Sequence, residues 1–153
     1  KATVAAAMGI NANVIAELEG VVDAYGNNAQ VSQSTFQLGV ARLDSGDYAG
    51  AIELFAGLAK SSDGQMKIAS KLKLAYINER QDNFGDAAAG YLEAAKLSSG
   101  RVADNAKLQA GFAFLAAGNV PQAENIVAEL LAADPKGKFL DQVKYLDGKV
   151  LEK

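Results

Sequence analysis

Two aspartates near glycines come closest, by residue type and spacing, to forming a phosphate-binding or metal-binding site. Asp44 and Asp47 flank the start of a short segment, residues 46–50, with the sequence GDYAG. A phosphate-binding loop would need a preceding strand and a Lys-Ser or Lys-Thr pair, and this segment has neither. The aspartates also lack the spacing of a calcium loop. The segment therefore predicts a turn between two helices, with Asp47 placed to cap the second one.

A second cluster of charged side chains lies at the predicted end of a later helix. It consists of Glu79, Arg80 and Asp82. Such a cluster could be a contact site for a partner, but exposed charges are usually only hydrated. Both interpretations stay open on the sequence alone.

The chain lacks the residue types that most catalytic and metal sites use. Its 153 residues include no His and no Cys, which excludes thiol nucleophiles, imidazole bases, thiolate metal sites and disulfides. The formal net charge is −3, with both signs scattered along the chain, whereas nucleic-acid binding needs clustered basic residues. No apolar run approaches the roughly 18 residues of a bilayer span. We therefore expect a protein that is no enzyme, uses no cofactor or metal, binds no nucleic acid and does not itself span a membrane.

A pattern with a period of 36 residues runs through the middle of the chain. Gly46, Asp82 and Gly118 stand at the same place in three segments, each between two apolar helical patterns. Gly and Asp accept the backbone conformations that end a helix, and the residue after each can cap the next helix. Small and then large apolar residues follow at fixed distances, namely Ala51, Ala87 and Ala123, then Phe55, Tyr91 and Val127. Small side chains let two antiparallel helices approach closely, and the large ones fill the space beside them.

This pattern resembles the tetratricopeptide repeat family. Besides the positions above, the resemblance rests on Leu38-Gly39, Leu74-Ala75 and Ala110-Gly111 in the first helices and on Pro135, which closes the third repeat. The chain departs from the family at the usual large aromatic early in the first helix, where Thr35, Lys71 and Lys107 stand. The resemblance implies an all-α fold, an α-solenoid of antiparallel helix pairs that complete their cores by stacking, with a C-terminal capping helix.

The pattern predicts a single tetratricopeptide-like domain over residues 1–153. Its parts are a partial repeat at 1–28, three repeats at 30–62, 66–99 and 102–135, and the capping helix at 137–153. Helices are expected near residues 1–8, 11–25, 30–45, 48–60, 66–81, 84–97, 102–117, 120–133 and 138–151.

The two ends of the predicted domain differ. Gly9 falls in the break position, so the chain is expected to begin inside a repeat whose first helix is cut short. At the other end, Phe139, Val143, Leu146 and Val150 share one helical face. A final helix of this kind covers the last repeat with one face and meets water with the other.

The first helices of the repeats carry an apolar stripe on their predicted inner face. We expect this stripe to bind an apolar or amphipathic segment of a partner protein. Some tetratricopeptide domains hold a C-terminal carboxylate with basic and amide side chains there, but Lys73 is the only obvious basic candidate, and a single lysine is a point charge rather than a clamp. Ordinary core packing would use the same apolar residues, so both interpretations stay open. The candidate partner-binding residues are Phe36, Val40, Leu43, Leu72, Tyr76, Leu108, Phe112 and Leu115.

The overall layout is similar to that of bacterial membrane-anchored tetratricopeptide proteins of the type that accompanies the Sec translocon. This similarity covers most of residues 25–151 and implies a protein-binding scaffold or adaptor in the periplasm, held by an anchor upstream of this sequence. Two alternatives stay open, a cytoplasmic location and a structural scaffold that self-associates as a homo-oligomer and has no peptide groove.

Overall fold

The computed structural model describes the backbone of residues 2–25, 29–137 and 140–153, and the side chains of residues 12–24, 31–137 and 141–153. Over these ranges the protein is all-α, as predicted, with eight helices and no strand. The helices are α1 (Ala2–Tyr25), α2 (Ala29–Asp44), α3 (Tyr48–Leu58), α4 (Gly64–Arg80), α5 (Phe84–Leu97), α6 (Gly100–Ala116), α7 (Val120–Ala133) and α8 (Leu140–Leu151).

Three helix pairs occupy the positions that the period of 36 residues predicts. The first pair is α2 and α3, the second is α4 and α5, and the third is α6 and α7. Each of these six helices begins and ends within two residues of its predicted bounds, because local turn residues fix both ends of every helix.

The predicted break near Gly9 is wrong. Residues 2–25 form one continuous helix, α1. A lone glycine inside an alanine-rich helix costs only about 1 kcal/mol, and the neighbouring Ile10 and Asn11 add no second helix-ending signal. Although α1 has 24 residues, no described helix is both long and apolar enough to cross a bilayer.

The two helices of each pair are joined by the same hydrogen-bonded turn. Gly46, Asp82 and Gly118 adopt positive φ angles of 84°, 61° and 79°. In every turn the N–H of this residue donates to the carbonyl three residues back, and the next N–H donates to the carbonyl five residues back, over 2.8–3.1 Å. These are the bonds of a Schellman helix end. The predicted turn positions are therefore confirmed.

The predicted caps form at two of the three turns. The Asp47 carboxylate accepts a hydrogen bond from the N–H of Gly50 at 3.0 Å, and the Asn119 side chain accepts one from the N–H of Gln122 at 3.4 Å. The Asn83 side chain makes no cap hydrogen bond. The main-chain bonds of the turn are thus common to all three pairs, whereas the side-chain cap is optional.

Packing divides the chain into two compact units, Lys1–Ser70 and Lys71–Lys153. In the first unit α2 packs against both α1 and α3. Phe55 is fully buried there and meets the Phe36 ring edge-on at a centroid distance of 5.3 Å. A Cβ on Gly39 would lie 2.8 Å from the Phe55 ring. The first-unit core is Val31, Leu38, Ala41, Leu43, Ala51, Phe55 and Leu58.

The second unit has two adjoining clusters of buried side chains. One joins α4, α5 and α6 and consists of Ala75, Ala87, Ala88, Tyr91, Ala110 and Ala113. The other joins α6, α7 and α8 and consists of Leu108, Leu115, Ala123, Ile126, Val127, Leu130, Val143, Leu146 and Val150. The predicted small and large positions of all three pairs are therefore buried, including Ala51 and Phe55 in the first unit.

The helices of the second and third pairs approach each other closely at glycines. A Cβ on Gly90 of α5 would lie 3.0 Å from the Cβ of Ala75 in α4. A Cβ on Gly111 of α6 would lie 3.1 Å from Cγ2 of Ile126 in α7. Residues 75 and 111 are 36 apart, and so are 90 and 126. The same contact is therefore made by Ala with Gly in one pair and by Gly with Ile in the next.

Helix α8 covers part of the third pair with its apolar face. Val143, Leu146 and Val150 are buried, and α8 packs against α6 and α7. Asp141 and Lys144 on the other face are exposed. This arrangement agrees with the predicted cap, although Phe139 lies outside the described residues.

Candidate functional site

A groove in the second unit lies between α4, α5 and α6. Its volume is about 550 Å³. Leu72 of α4 forms one wall and α6 forms the opposite wall. Tyr91 of α5 lies at the floor. The full lining is Leu72, Tyr91, Arg101, Val102, Asn105, Ala106 and Gln109.

The walls of this groove leave apolar surface in contact with water. Val102 is 50% exposed. Tyr76, which lies one turn after Leu72 on α4 but is not part of the lining, is 42% exposed. Leu72 is half-buried, while Ala106 and Tyr91 are buried. Partly exposed apolar walls over a buried floor are suited to an apolar side chain of a ligand, because docking removes both surfaces from water.

The floor of the groove is held by a hydrogen bond between α5 and α4. The Tyr91 hydroxyl donates to Oε2 of Glu79 at 2.7 Å. Burial raises the pKa of Tyr91, and the hydrogen bond to the Glu79 carboxylate raises it further. The phenol therefore remains protonated and continues to donate at any physiological pH.

Aromatic side chains lie on α4, α6 and α8 of the second unit. Tyr76 and Phe112 occupy equivalent positions 36 residues apart, and the Phe112 ring lies 5.9 Å from that of Tyr145. Lys149 lies over the Tyr145 ring, with Nζ 5.5 Å from its centroid, and pairs with Glu152 at 3.2 Å. The hydrogen bond to Glu152 raises the pKa of Lys149. Tyr145 is 60% exposed, so α8 also leaves aromatic surface in contact with water.

The eight candidate partner-binding residues fall into three classes of exposure. Tyr76 is exposed, and Phe36, Val40, Leu72 and Phe112 are half-buried. The other three are buried and pack in the cores of the two units, namely Leu43, Leu108 and Leu115. Of the eight, only Leu72 lines the groove, together with residues of α6 that were not predicted as candidates.

Sequence reasoning missed the α6 side of the groove. Val102, Asn105 and Gln109 lie at helical spacing on one side of α6. The predicted helix began at residue 102, but α6 begins two residues earlier, at Gly100. The predicted helix already contains Val102 one turn before Ala106 on the same face, and this spacing was the available signal.

The charged clusters of the sequence are parts of turns. Asp47 caps α3 and pairs with Arg42 at 2.9 Å. The hydrogen bond from the Gly50 N–H lowers the pKa of the Asp47 carboxyl, and the Arg42 guanidinium lowers it further. Glu79 accepts the Tyr91 hydrogen bond, and Asp82 forms the turn of the second pair. The capping role expected of Asp47 is thus confirmed.

Comparison with known proteins adds no relative. No protein-family model matches the chain, and no curated protein matches it significantly.

Proposed function

We propose that this protein is an interaction module of the tetratricopeptide type, which binds an apolar or amphipathic segment of a partner protein. The groove between α4, α5 and α6 carries the proposal, with Val102 half-exposed on its α6 wall and Tyr76 half-exposed one turn after Leu72 on α4. Apolar side chains that stay in water on a concave surface commonly mark a place where a partner docks.

The shape and lining of the groove favour a helical segment with one apolar face. Leu72 and Tyr76 are four residues apart on α4, and Val102 and Ala106 are four apart on α6. Two rows with this spacing can receive the i, i+3 and i+4 side chains of an amphipathic helix between them. Asn105 and Gln109 supply hydrogen-bonding groups beside the apolar rows, which would fix the orientation of such a helix.

A solenoid of tetratricopeptide repeats is the architecture that we propose for the three pairs. It is supported by three Schellman turns at a spacing of 36 residues, with buried small and large residues at equivalent positions. A location in the bacterial cell envelope, implied by the resemblance to translocon-associated proteins, belongs to the same proposal.

Self-association is the second candidate function. It is favoured by α8, where Tyr145 is 60% and Leu151 79% exposed. A second copy that covers this helix would remove both side chains from water. Sedimentation velocity over a range of protein concentrations distinguishes the two candidates, because only a self-associating scaffold shifts to larger species as the concentration rises.

A selected peptide tests the groove. We would select amphipathic helices from a phage-displayed library on the wild-type protein and measure their affinity by fluorescence anisotropy. The double variant Tyr76→Ser/Val102→Ser is expected to bind the selected peptides at least tenfold more weakly, since two aromatic or aliphatic contacts of about 1 kcal/mol or more are lost.

The matched control is Leu97→Ser. Leu97 is 48% exposed on α5 and does not line the groove, so its replacement should leave binding unchanged. Circular dichroism melts establish that all variants fold. Equal peptide affinity in the double variant and the wild type would refute the groove as the binding site.

A further inference from the structure

An ion pair crosses the second and third helix pairs at equivalent positions. Lys71 of α4 pairs with Glu93 of α5 at 2.7 Å, and Lys107 of α6 pairs with Glu129 of α7 at 3.5 Å. Both the two lysines and the two glutamates are 36 residues apart. In each pair, a lysine on the first helix therefore spans the crevice to a carboxylate on the second.

The first pair has no such ion pair, because Thr35 and Gly57 occupy the equivalent positions. A groove of about 670 Å³ lies there, between α2 and α3. Both Thr35 and Gly57 line it. The complete lining is Val31, Ser32, Thr35, Glu53, Leu54, Gly57, Leu58, Lys60, Ser61, Ser62 and Asp63.

The floor of this groove is apolar and its rim is polar. Val31 and Leu58 are buried and Leu54 is half-buried, whereas Glu53 is exposed. The other carboxylate, Asp63, accepts hydrogen bonds from the N–H groups of Gln65 and Met66 at the start of α4. Asp63 is thus engaged as a helix cap, whereas Glu53 takes part in no cap or turn among the residues that the structure describes.

The unit that contains this groove is acidic. Residues 1–70 include four Lys or Arg and seven Asp or Glu, while the remaining residues include eleven of each. The net charge of the chain thus belongs to the first unit, and this charge favours the approach of a basic ligand.

We propose that the groove between α2 and α3 binds a lysine or arginine side chain on a basic segment of a partner protein. Its methylene groups lie on Leu54 and Leu58, and its cation lies beside Glu53. In the other two pairs, a lysine of the first helix stands at the equivalent position and pairs with a carboxylate of the second. A long cationic side chain also combines the apolar stem and charged head that this floor and rim require. The site is separate from the groove of the second unit and does not depend on it.

The probe is a fluorescein-labelled nine-residue peptide with three lysines among leucines and serines, and its counterpart with glutamate for lysine. We expect the wild type to bind the lysine peptide and not the glutamate peptide. Glu53→Gln should weaken binding about fivefold, the effect of losing one partly exposed ion pair of about 1 kcal/mol. The control Glu124→Gln removes an exposed carboxylate of α7 and should leave binding unchanged.

A second variant closes the groove. Thr35→Lys/Gly57→Glu copies the ion pair of the other two helix pairs and should abolish binding while a circular dichroism melt shows an intact fold. In NMR spectra, the lysine peptide should shift the Gly57 amide signal of the wild type. Tyr76→Ser/Val102→Ser should bind this peptide like the wild type. The two proposed binding sites are therefore tested independently of each other.

Several outcomes would overturn the proposal. These are no binding of the lysine peptide at millimolar concentration, equal affinity in Glu53→Gln and the wild type, or equal weakening by Glu124→Gln. The last result would mean that overall charge alone attracts the peptide. If the closed variant does not fold, the comparison of Glu53→Gln with Glu124→Gln still decides. A dimer of the wild type that Thr35→Lys/Gly57→Glu abolishes would instead assign the groove to a second copy.

Discussion

At the scale of single residues, Gly39 and Phe55 set the distance between α2 and α3. The Phe55 ring is fully buried and occupies the space that a side chain at position 39 would need. A large ring against a glycine lets the two helix backbones approach while the space between them stays filled.

Gly39→Ala is expected to destabilise the protein. The added Cβ would lie 2.8 Å from two atoms of the Phe55 ring, and such overpacking costs about 1–3 kcal/mol, more than the roughly 1 kcal/mol gained from helix propensity. Gly57→Ala is the control, because its Cβ meets no atom within 4 Å and the change should stabilise. Urea unfolding measures both. A Gly39→Ala protein as stable as Gly57→Ala would show that the ring moves aside freely.

Tyr91 makes stability sensitive to alkaline pH. Its pKa is raised above the usual 10.0 in the folded protein, so the unfolded chain loses this proton first as the pH rises. The contribution of the protonated phenol is fully present below about pH 10 and is lost above it. We expect the free energy of unfolding to fall more steeply there in the wild type than in Tyr91→Phe, as measured by urea titrations at increasing pH. Parallel curves would contradict this assignment.

At the scale of the helices, the repeated turn depends on one residue with positive φ. Gly118→Ala should cost about 1–2 kcal/mol, since a side chain strains this conformation. Asp82 already carries a side chain at φ 61°, so Asp82→Gly should have a small effect or stabilise slightly. Thermal melts of the two variants should therefore shift differently. A large loss of stability in Asp82→Gly would show that its side chain has a role that the turn geometry does not explain.

The helices of the three pairs could be predicted because their signals are local. Gly or Asp followed by Asp or Asn ends one helix and starts the next within a few residues. The continuity of α1 could not be predicted in this way. The position of Gly9 matched the period, but a matching position does not end a helix when the surrounding sequence favours helix.

At the scale of the whole molecule, burial differs strongly along the chain. No residue of α1 between 12 and 24 is buried, whereas seven residues of α6 are. An ion pair between Glu19 of α1 and Arg42 of α2 is one of the contacts that hold α1 in place.

Hydrogen exchange should reflect this difference. We expect the amides of α1 to exchange fastest among the described helices and those of α6 slowest, because exchange follows local burial. Arg42→Ala should speed exchange in α1 about fivefold, the effect of an ion pair of about 1 kcal/mol, and leave α6 unchanged. Lys96→Ala, at an exposed position of α5, is the control. Slower exchange in α1 than in α6 would contradict the proposed order.

The candidate site could be predicted only in part, because it is assembled from three helices. The position of Leu72 and Tyr76 on a first helix predicts both as candidates. Val102 and Gln109 matter only because α6 lies opposite α4, and a period in the sequence does not contain that information. Burial of Leu43 and Leu115 also depends on tertiary packing, since an inner stripe and a core have the same helical spacing.

The close approaches at positions 75 with 90 and 111 with 126 have a consequence for exchanging helices between the pairs. The pairs share a period, but their helices are not interchangeable, because Ala75 with Gly90 and Gly111 with Ile126 divide the same space in opposite ways. A recombinant that joined α4 to α7 would set Ala75 against Ile126 and overfill the contact. A shuffled chain would therefore need position 75 to change to glycine together with the new helix.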